Sequence, residues 1–304
     1  MSDHEFWAGQ SLVTEPGPAA AAIDQLPTDL GVFRAVSQQL VFHHWADGDW
    51  AENGIAPERL SEIDTRYAAA MFARLGELAD LPLSANRQPR QRLVGCCRDF
   101  TVLFVSMARH KGIPARGRIG FAGYLIGGWL IDHMIAEVWD GPAGRWRLVE
   151  PEIHDDHPHP DGGGSFDALD VPPDRFLTAP RAWQLARSGA VDAERFVISP
   201  DLELPTTWGM PQLRRSLVRD LAALNKTEML LWEDWGIQDS RPPADRRFGQ
   251  PGGSVTSAVC RSIGKPEAAA FQRLPSGWPG SDRQIGHVAS GRTRAEPAAS
   301  WLQT

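Results

Sequence analysis

The chain has 304 residues, of which 42% are hydrophobic and 23% charged, and a formal net charge of −7. That length allows one large domain or two small ones with a substantial core, and the composition is that of a globular protein in water. The acidic balance argues against nucleic acid or an anionic membrane held through bulk charge.

The first residues, "MSDHEFWAGQSL", have no basic region followed by an apolar one, and no apolar run is long enough to span a bilayer. Three cysteines, two of them adjacent, make a poor disulfide framework and predict a reducing, cytoplasmic location. Cys260, in the polar "SAVCRSIG", is assigned no role.

Residues 1–25 are rich in Ala, Pro and Gly and read as a flexible lead-in. Apolar spacing predicts a helix over "LGVFRAVSQQLVF", residues 30–42, and a second through "PERLSEIDTRYAAAMFARLGELA", residues 57–79, with Pro57 suited to its first turn. A loop, "DLPLSANRQPRQR", follows. The next helix starts at or near Cys97 and is apolar almost all round, so it is expected to be buried. Gly112 and Pro114 end it.

Three strand candidates come next: "ARGRIGFA", "HMIAEVWD" from His133, and "RWRLVEPE" up to Glu152. "GPAG" joins the last two as a hairpin loop. Further helices are expected near residues 181–187 and over 211–235. After about Ile237 the sequence turns to Arg, Pro, Gly and Ser without periodicity, which predicts a disordered tail over 241–304.

The adjacent cysteines stand at the predicted start of the buried helix. Unpaired N–H groups there favour an anion and lower a thiol pKa, so an activated Cys97 is expected. A nucleophile also needs a base, which must arrive through the fold. His133 is the candidate: with Ile135 and Glu137 it points to one side of its strand, while Met134, Ala136 and Val138 point to the other. Glu150, before Pro151 on the adjacent strand, is placed to bond the second ring nitrogen and fix the tautomer.

"GCCRDFTVLFVSMARHKGIPARGRIGFA", "DHMIAEVW" and "RWRLVEPE" together resemble the transglutaminase-like superfamily, a branch of the papain-like cysteine enzymes. The likeness spans roughly residues 90–152. Residue by residue, it implies Cys97 as nucleophile, His133 as base and Glu150 as acid, with Cys96 at the family's variable position. It implies an α+β fold with a papain-like, transglutaminase-like core. In that core the helix bearing the nucleophile packs on an antiparallel sheet, within a domain over 26–240. Glu150 departs from the family's usual Asp, and Trp45, Trp50 and Gln91 are the candidates for the oxyanion-binding side chain.

The function so implied is acyl transfer from an amide or peptide bond through a thioester on Cys97, with hydrolysis favoured over transfer to an amine. Substrates would be peptides, proteins or small amides. No cofactor, metal, nucleic acid or membrane is expected. The alternative is a catalytically inactive binding or scaffold protein of the same fold. "HDDHPHPDGGG", residues 154–164, has metal-donor side chains, from which a metal-dependent hydrolase is a third reading. But it lacks a recognised ligand spacing and reads as a mobile loop at the cleft rim. Asp132 reads as a loop residue, and Arg116 with Arg118 as a solvated strand face or an anion contact.

Overall fold

The computed structural model describes residues 4–155, 157, 164–202 and 204–233. The expectations for the 241–304 tail, Cys260 and His159 lie outside these residues. The chain is α+β, with the elements α1 (Ala20–Asp24), α2 (Leu30–Leu40), β1 (Val41–His43), α3 (Ala68–Leu78), β2 (Leu93–Gly95), α4 (Cys97–His110), β3 (Ala115–Ala122), β4 (Leu130–Asp140), β5 (Arg145–Val149), β6 (Phe176–Thr178), α5 (Ala179–Ser188), β7 (Phe196–Val197) and α6 (Gly209–Leu224). No helix among the described residues is long and apolar enough to cross a membrane.

The main sheet runs β5-β4-β3-β6 with antiparallel neighbours, and β7 adds to β4 in parallel. β1 and β2 form a separate parallel pair that sets His43 opposite Gly95. The helix α4 is the centre of the main core. Val102, Leu103, Phe104 and Val105 pack with Phe33 and Leu40 of α2, Leu75 of α3 and Ala136 and Val138 of β4. This is the helix-on-sheet arrangement expected for the segment bearing Cys97. Gly112, at φ +75°, and the bond from Ile113 N to Ala108 O end α4 where a left-handed residue was foreseen.

Several boundaries differ from the periodicity reading. Val41 and Phe42 leave α2 for strand β1, because β-branched and aromatic side chains suit the pairing with β2. The predicted long helix over 57–79 is a 3₁₀ stretch, Pro57–Asp64, then α3, with an extended break between. The carbonyls of Thr65 and Arg66 in that break are taken by the Arg98 guanidinium instead of a helix ladder. β4 begins three residues before His133, so Asp132 is a strand residue and not a loop one. The last helix stops at Leu224, and Lys226 adopts φ +57° in the turn beyond.

The lead-in is tied down within the described residues. Trp7, Val13 and Ile23 are buried, and Val13 O accepts from Ala68 N. A few apolar anchors among small residues are enough to hold such a segment, and composition averages them away.

Two packing details generate predictions. Arg98 is fully buried and donates to Asp99 and to the carbonyls of Thr65, Arg66, Glu228 and Met229. Replacing it with Met strands a buried carboxylate and several carbonyls. Arg98→Met should therefore cost about 3–5 kcal/mol in urea unfolding, and a loss under about 1 kcal/mol would contradict this account. Gly120 pairs with His133, and a Cβ there would lie 2.2 Å from Leu177 O and 2.8 Å from the Phe176 ring. Gly120→Ala should lower stability by about 1–3 kcal/mol and disturb the His133 imidazole resonances by NMR.

Candidate active site

Strand β2 ends at Gly95, and the chain turns into α4 through Cys96, whose extended backbone makes it the N-cap. Asp99 Oδ2 accepts from Cys96 N at 2.9 Å, which closes the helix start. Gly95 is required for this turn, since a Cβ would lie 2.7 Å from Asp99 Oδ2 and 2.9 Å from Val41. Cys97 is then the first residue of the helix, and Thr101 Oγ1, one turn on, donates to Met134 O of β4 at 2.9 Å. The helix start is thus pinned against the strand that carries His133.

The structure brings the three sequence-selected residues together. His133 Nε2 lies 2.8 Å from Glu150 Oε2. Cys97 Sγ, a ring nitrogen of His133 and a carboxylate oxygen of Glu152 all lie within 4.8 Å of one another. The strand faces are as the alternation expected. Ala136 and Val138 meet the α4 side, and Ile135 sits on the other with Phe176 and Tyr124. The His133 ring is edge-on to Tyr124 and Phe176.

Glu150 stands one residue past the end of β5, and its backbone N–H donates to Ala168 O. Burial alone would raise its pKa. The His133 ring, the Tyr124 hydroxyl and the Glu152 N–H outweigh that and hold it below the ordinary value, as a carboxylate. Its Oε1 accepts from Glu152 N at 2.9 Å, and Oε2 also accepts from Tyr124 OH. A carboxylate only accepts, so Nε2 of His133 carries a hydrogen, and in the neutral ring the lone pair is on Nδ1.

Two residues on, Glu152 has the opposite state. It is buried, its pKa is pushed well up by burial and then by Glu150 and Asp47, and its Oε2 has no hydrogen-bond partner among the described residues. The backbone that carries both acids is clamped by α2. Arg34 Nε donates to Glu150 O at 2.9 Å, and Gln38 Nε2 donates to Glu152 O at 3.2 Å and Ile153 O at 3.1 Å.

The thiol differs from the expectation. Cys97 is only 5% exposed, and the adjacent Cys96 thiol, burial and the acids Glu152 and Asp132 push its pKa well up. A helix N-terminus contributes about 0.3–1 kcal/mol to an exposed anion, less than the roughly 1.4 kcal/mol that one pKa unit represents. The Cys96 hydrogen bond and desolvation together therefore outweigh the helix field, and the resting sulfur is a thiol.

Residues the sequence reading passed over complete the surroundings. His43 Nδ1 accepts from the backbone N–H groups of Trp45 and Ala46, both at 3.1 Å. The hydrogen of the neutral ring therefore sits on Nε2, which is 3.8 Å from Glu152 Oε1. Burial, then His44 and His133, lowers the His43 pKa well below the ordinary value, and burial takes His44 to about 4. The one available signal for these was "HHW" beside a predicted helix end.

Several other candidates are otherwise engaged. Trp50 Nε1 donates to His44 O, and Gln91 Oε1 accepts from Gln88 N in its own turn. Trp45 lies against the His44 ring. Asp132 accepts from Ser216 and Arg219 of α6. Arg116 and Arg118 form neither a solvated face nor a free anion contact. Both pair with Glu137, Arg118 also pairs with Asp220, and Arg116 lies 3.9 Å from the Trp146 ring centroid. Of the histidine-rich loop, Asp155 pairs with Arg34 at 2.9 Å.

Comparison with family models points the same way as the motifs. No curated protein matches this chain. Among solved structures, a proposed cysteine protease from Cytophaga hutchinsonii aligns at 14% identity and a TM-score of 0.34, over 59% of this chain and 46% of that one. This chain thus spans less than half the length of that protein. The family model for the transglutaminase-like superfamily matches residues 80–151. The stretch that carries Cys97, His133 and Glu150 therefore belongs to the transglutaminase-like superfamily.

Proposed function

We propose that this protein is a cysteine-dependent acyl-transfer enzyme acting on an amide or peptide bond. The observation that carries the reading is the chain of groups from the Cys97 thiol through the His133 ring to the Glu150 carboxylate. As the sulfur attacks the carbonyl carbon, its proton passes to His133 Nδ1 and the carbonyl π pair moves to oxygen. The tetrahedral adduct collapses, the C–N bond breaks, and the imidazolium returns the proton to the leaving amine. A thioester remains on Cys97. Water then attacks it with His133 again as base, which releases the acid and restores the thiol.

Glu150 serves this sequence by facing the imidazolium. Its charge is already present and its other oxygen is satisfied by Glu152 N, so it needs no reorganisation when His133 becomes positive. Tyr124 holds the same carboxylate oxygen and limits its rotation. The backbone N–H of Cys97 would supply one oxyanion donor. Hydrolysis is favoured over transfer because an amine acceptor must compete with water, and the cytoplasmic setting expected from cysteine usage belongs to this reading.

One observation favours the alternative, an inactive binding protein of the same fold: the low exposure of Cys97 and its raised pKa. Substitution at Glu150 separates the two. Glu150→Gln removes the charge and offers an N–H toward the imidazole. Acylation by an activated ester should fall about 10²–10⁴-fold, while Glu150→Asp retains more activity than Gln. Equal rates in wild type and Glu150→Gln would remove Glu150 from the machinery, and no acylation of the wild type by any amide or ester would favour the binding protein.

The raised thiol pKa gives a pH test. With a neutral resting thiol, iodoacetamide alkylation of Cys97 should keep rising with pH beyond the range where an exposed thiol levels off. A plateau below neutrality, read by mass spectrometry of the Cys97 peptide, would reveal a standing thiolate–imidazolium pair and contradict the neutral ground state.

A further inference from the structure

Beside the proposed nucleophile and base, the same pocket holds a carboxyl that the acyl-transfer chemistry does not use. Cys97 Sγ, a His133 ring nitrogen and a Glu152 carboxylate oxygen converge within 4.8 Å. That carboxyl belongs to Glu152. Its side chain is 9% exposed, it comes within that reach of both sulfur and imidazole, and its Oε2 has no hydrogen-bond partner among the described residues. A buried polar atom without a partner is costly, and such atoms are uncommon in folded proteins. The geometry points to a site for a divalent transition-metal cation, best fitted by zinc, with Cys97, His133 and Glu152 as its three protein ligands.

The chemistry of the donors selects the ion. One thiolate, one imidazole and one carboxylate suit zinc, whereas calcium and magnesium require oxygen ligands. Tetrahedral zinc bonds of about 2.0–2.3 Å place neighbouring donors roughly 3.3–3.8 Å apart. The three groups would have to draw in by up to about 1.5 Å, within the reach of side-chain rotation. On binding, the thiol and the carboxyl each release a proton to solvent, and their two negative charges balance the dication. Three protein ligands leave the fourth position for water.

The outer surroundings match such a centre. A metal-bound histidine commonly donates its second ring N–H to a carboxylate, as His133 Nε2 does to Glu150. His43 is excluded as a fourth ligand, because its Nδ1 is committed to two backbone N–H groups and its Nε2 carries the hydrogen. It is placed instead to donate to the ligating Glu152. Of the histidine-rich segment, the described His154 and His157 are not among the converging donors.

Metal at this position would occupy the sulfur and the His133 lone pair together and so block acylation. That consequence rests on the acyl-transfer reading, while the binding site does not. Cobalt(II) titration of the reduced full chain tests the site without any substrate. A thiolate-to-cobalt charge-transfer band should appear, and zinc should abolish it. Cys97→Ser should lose the band, Glu152→Gln should bind cobalt roughly tenfold or more weakly, and zinc should protect Cys97 from iodoacetamide. Absence of the band in folded protein, its survival in Cys97→Ser, or unchanged affinity in Glu152→Gln would overturn the proposal. Circular dichroism checks each variant for folding. Should Glu152→Gln not fold, the Cys97→Ser band decides the matter. Metal binding without acylation, or acylation without metal binding, would separate the two readings.

Discussion

A positive charge with no access to water organises this molecule. Arg98 follows the candidate nucleophile and is fully buried, so every one of its donors must find a protein acceptor. It finds Asp99, which caps the helix that Cys97 begins, the carbonyls of Thr65 and Arg66, and those of Glu228 and Met229. One side chain therefore joins the start of α4 to a break between two helical segments and to the strand-free chain after α6. Glu228, held there, in turn accepts from Ser11 and Arg109. The first turn of α4 cannot shift without breaking this set, which is what a site built on that turn requires.

The two acids after β5 show how environment, not residue type, sets chemical state. Glu150 and Glu152 are both buried and two residues apart. Glu150 has a histidine, a tyrosine hydroxyl and a backbone N–H as partners, and these outweigh its desolvation. Glu152 has an unpartnered oxygen and acidic neighbours, and it goes the other way. Such a split assigns different work to two carboxyls in one pocket. Glu150 holds the histidine, and Glu152 is left for whatever enters.

The burial of Cys97 has the same logic. An exposed thiol at a helix start would ionise readily and react with oxidants. Here the neighbouring Cys96 and the closed surroundings keep it protonated. On the proposed readings, its reactivity depends on a ligand that opens or fills the pocket, whether an acyl substrate or a cation.

Local pattern alone located much of this. The start of α4 at Cys97, its end at Gly112, β3 over Ala115–Ala122 and the turn before β5 could be read from apolar spacing, glycine and proline, because backbone and side-chain preferences act over a few residues. Cys97, His133 and Glu150 were singled out by a motif whose spacing is local within each segment. What the sequence could not contain was decided by distant chain. The break before α3 exists because Arg98 claims its carbonyls. The thiol is neutral because the Cys96 hydrogen bond and burial together exceed the helix field. Tyr124, His43 and Glu152 enter the pocket because the segment after β3, strand β1 and the segment after β5 converge there. Desolvation and long-range pairing depend on which groups exclude water together, and no window of neighbouring residues holds that information.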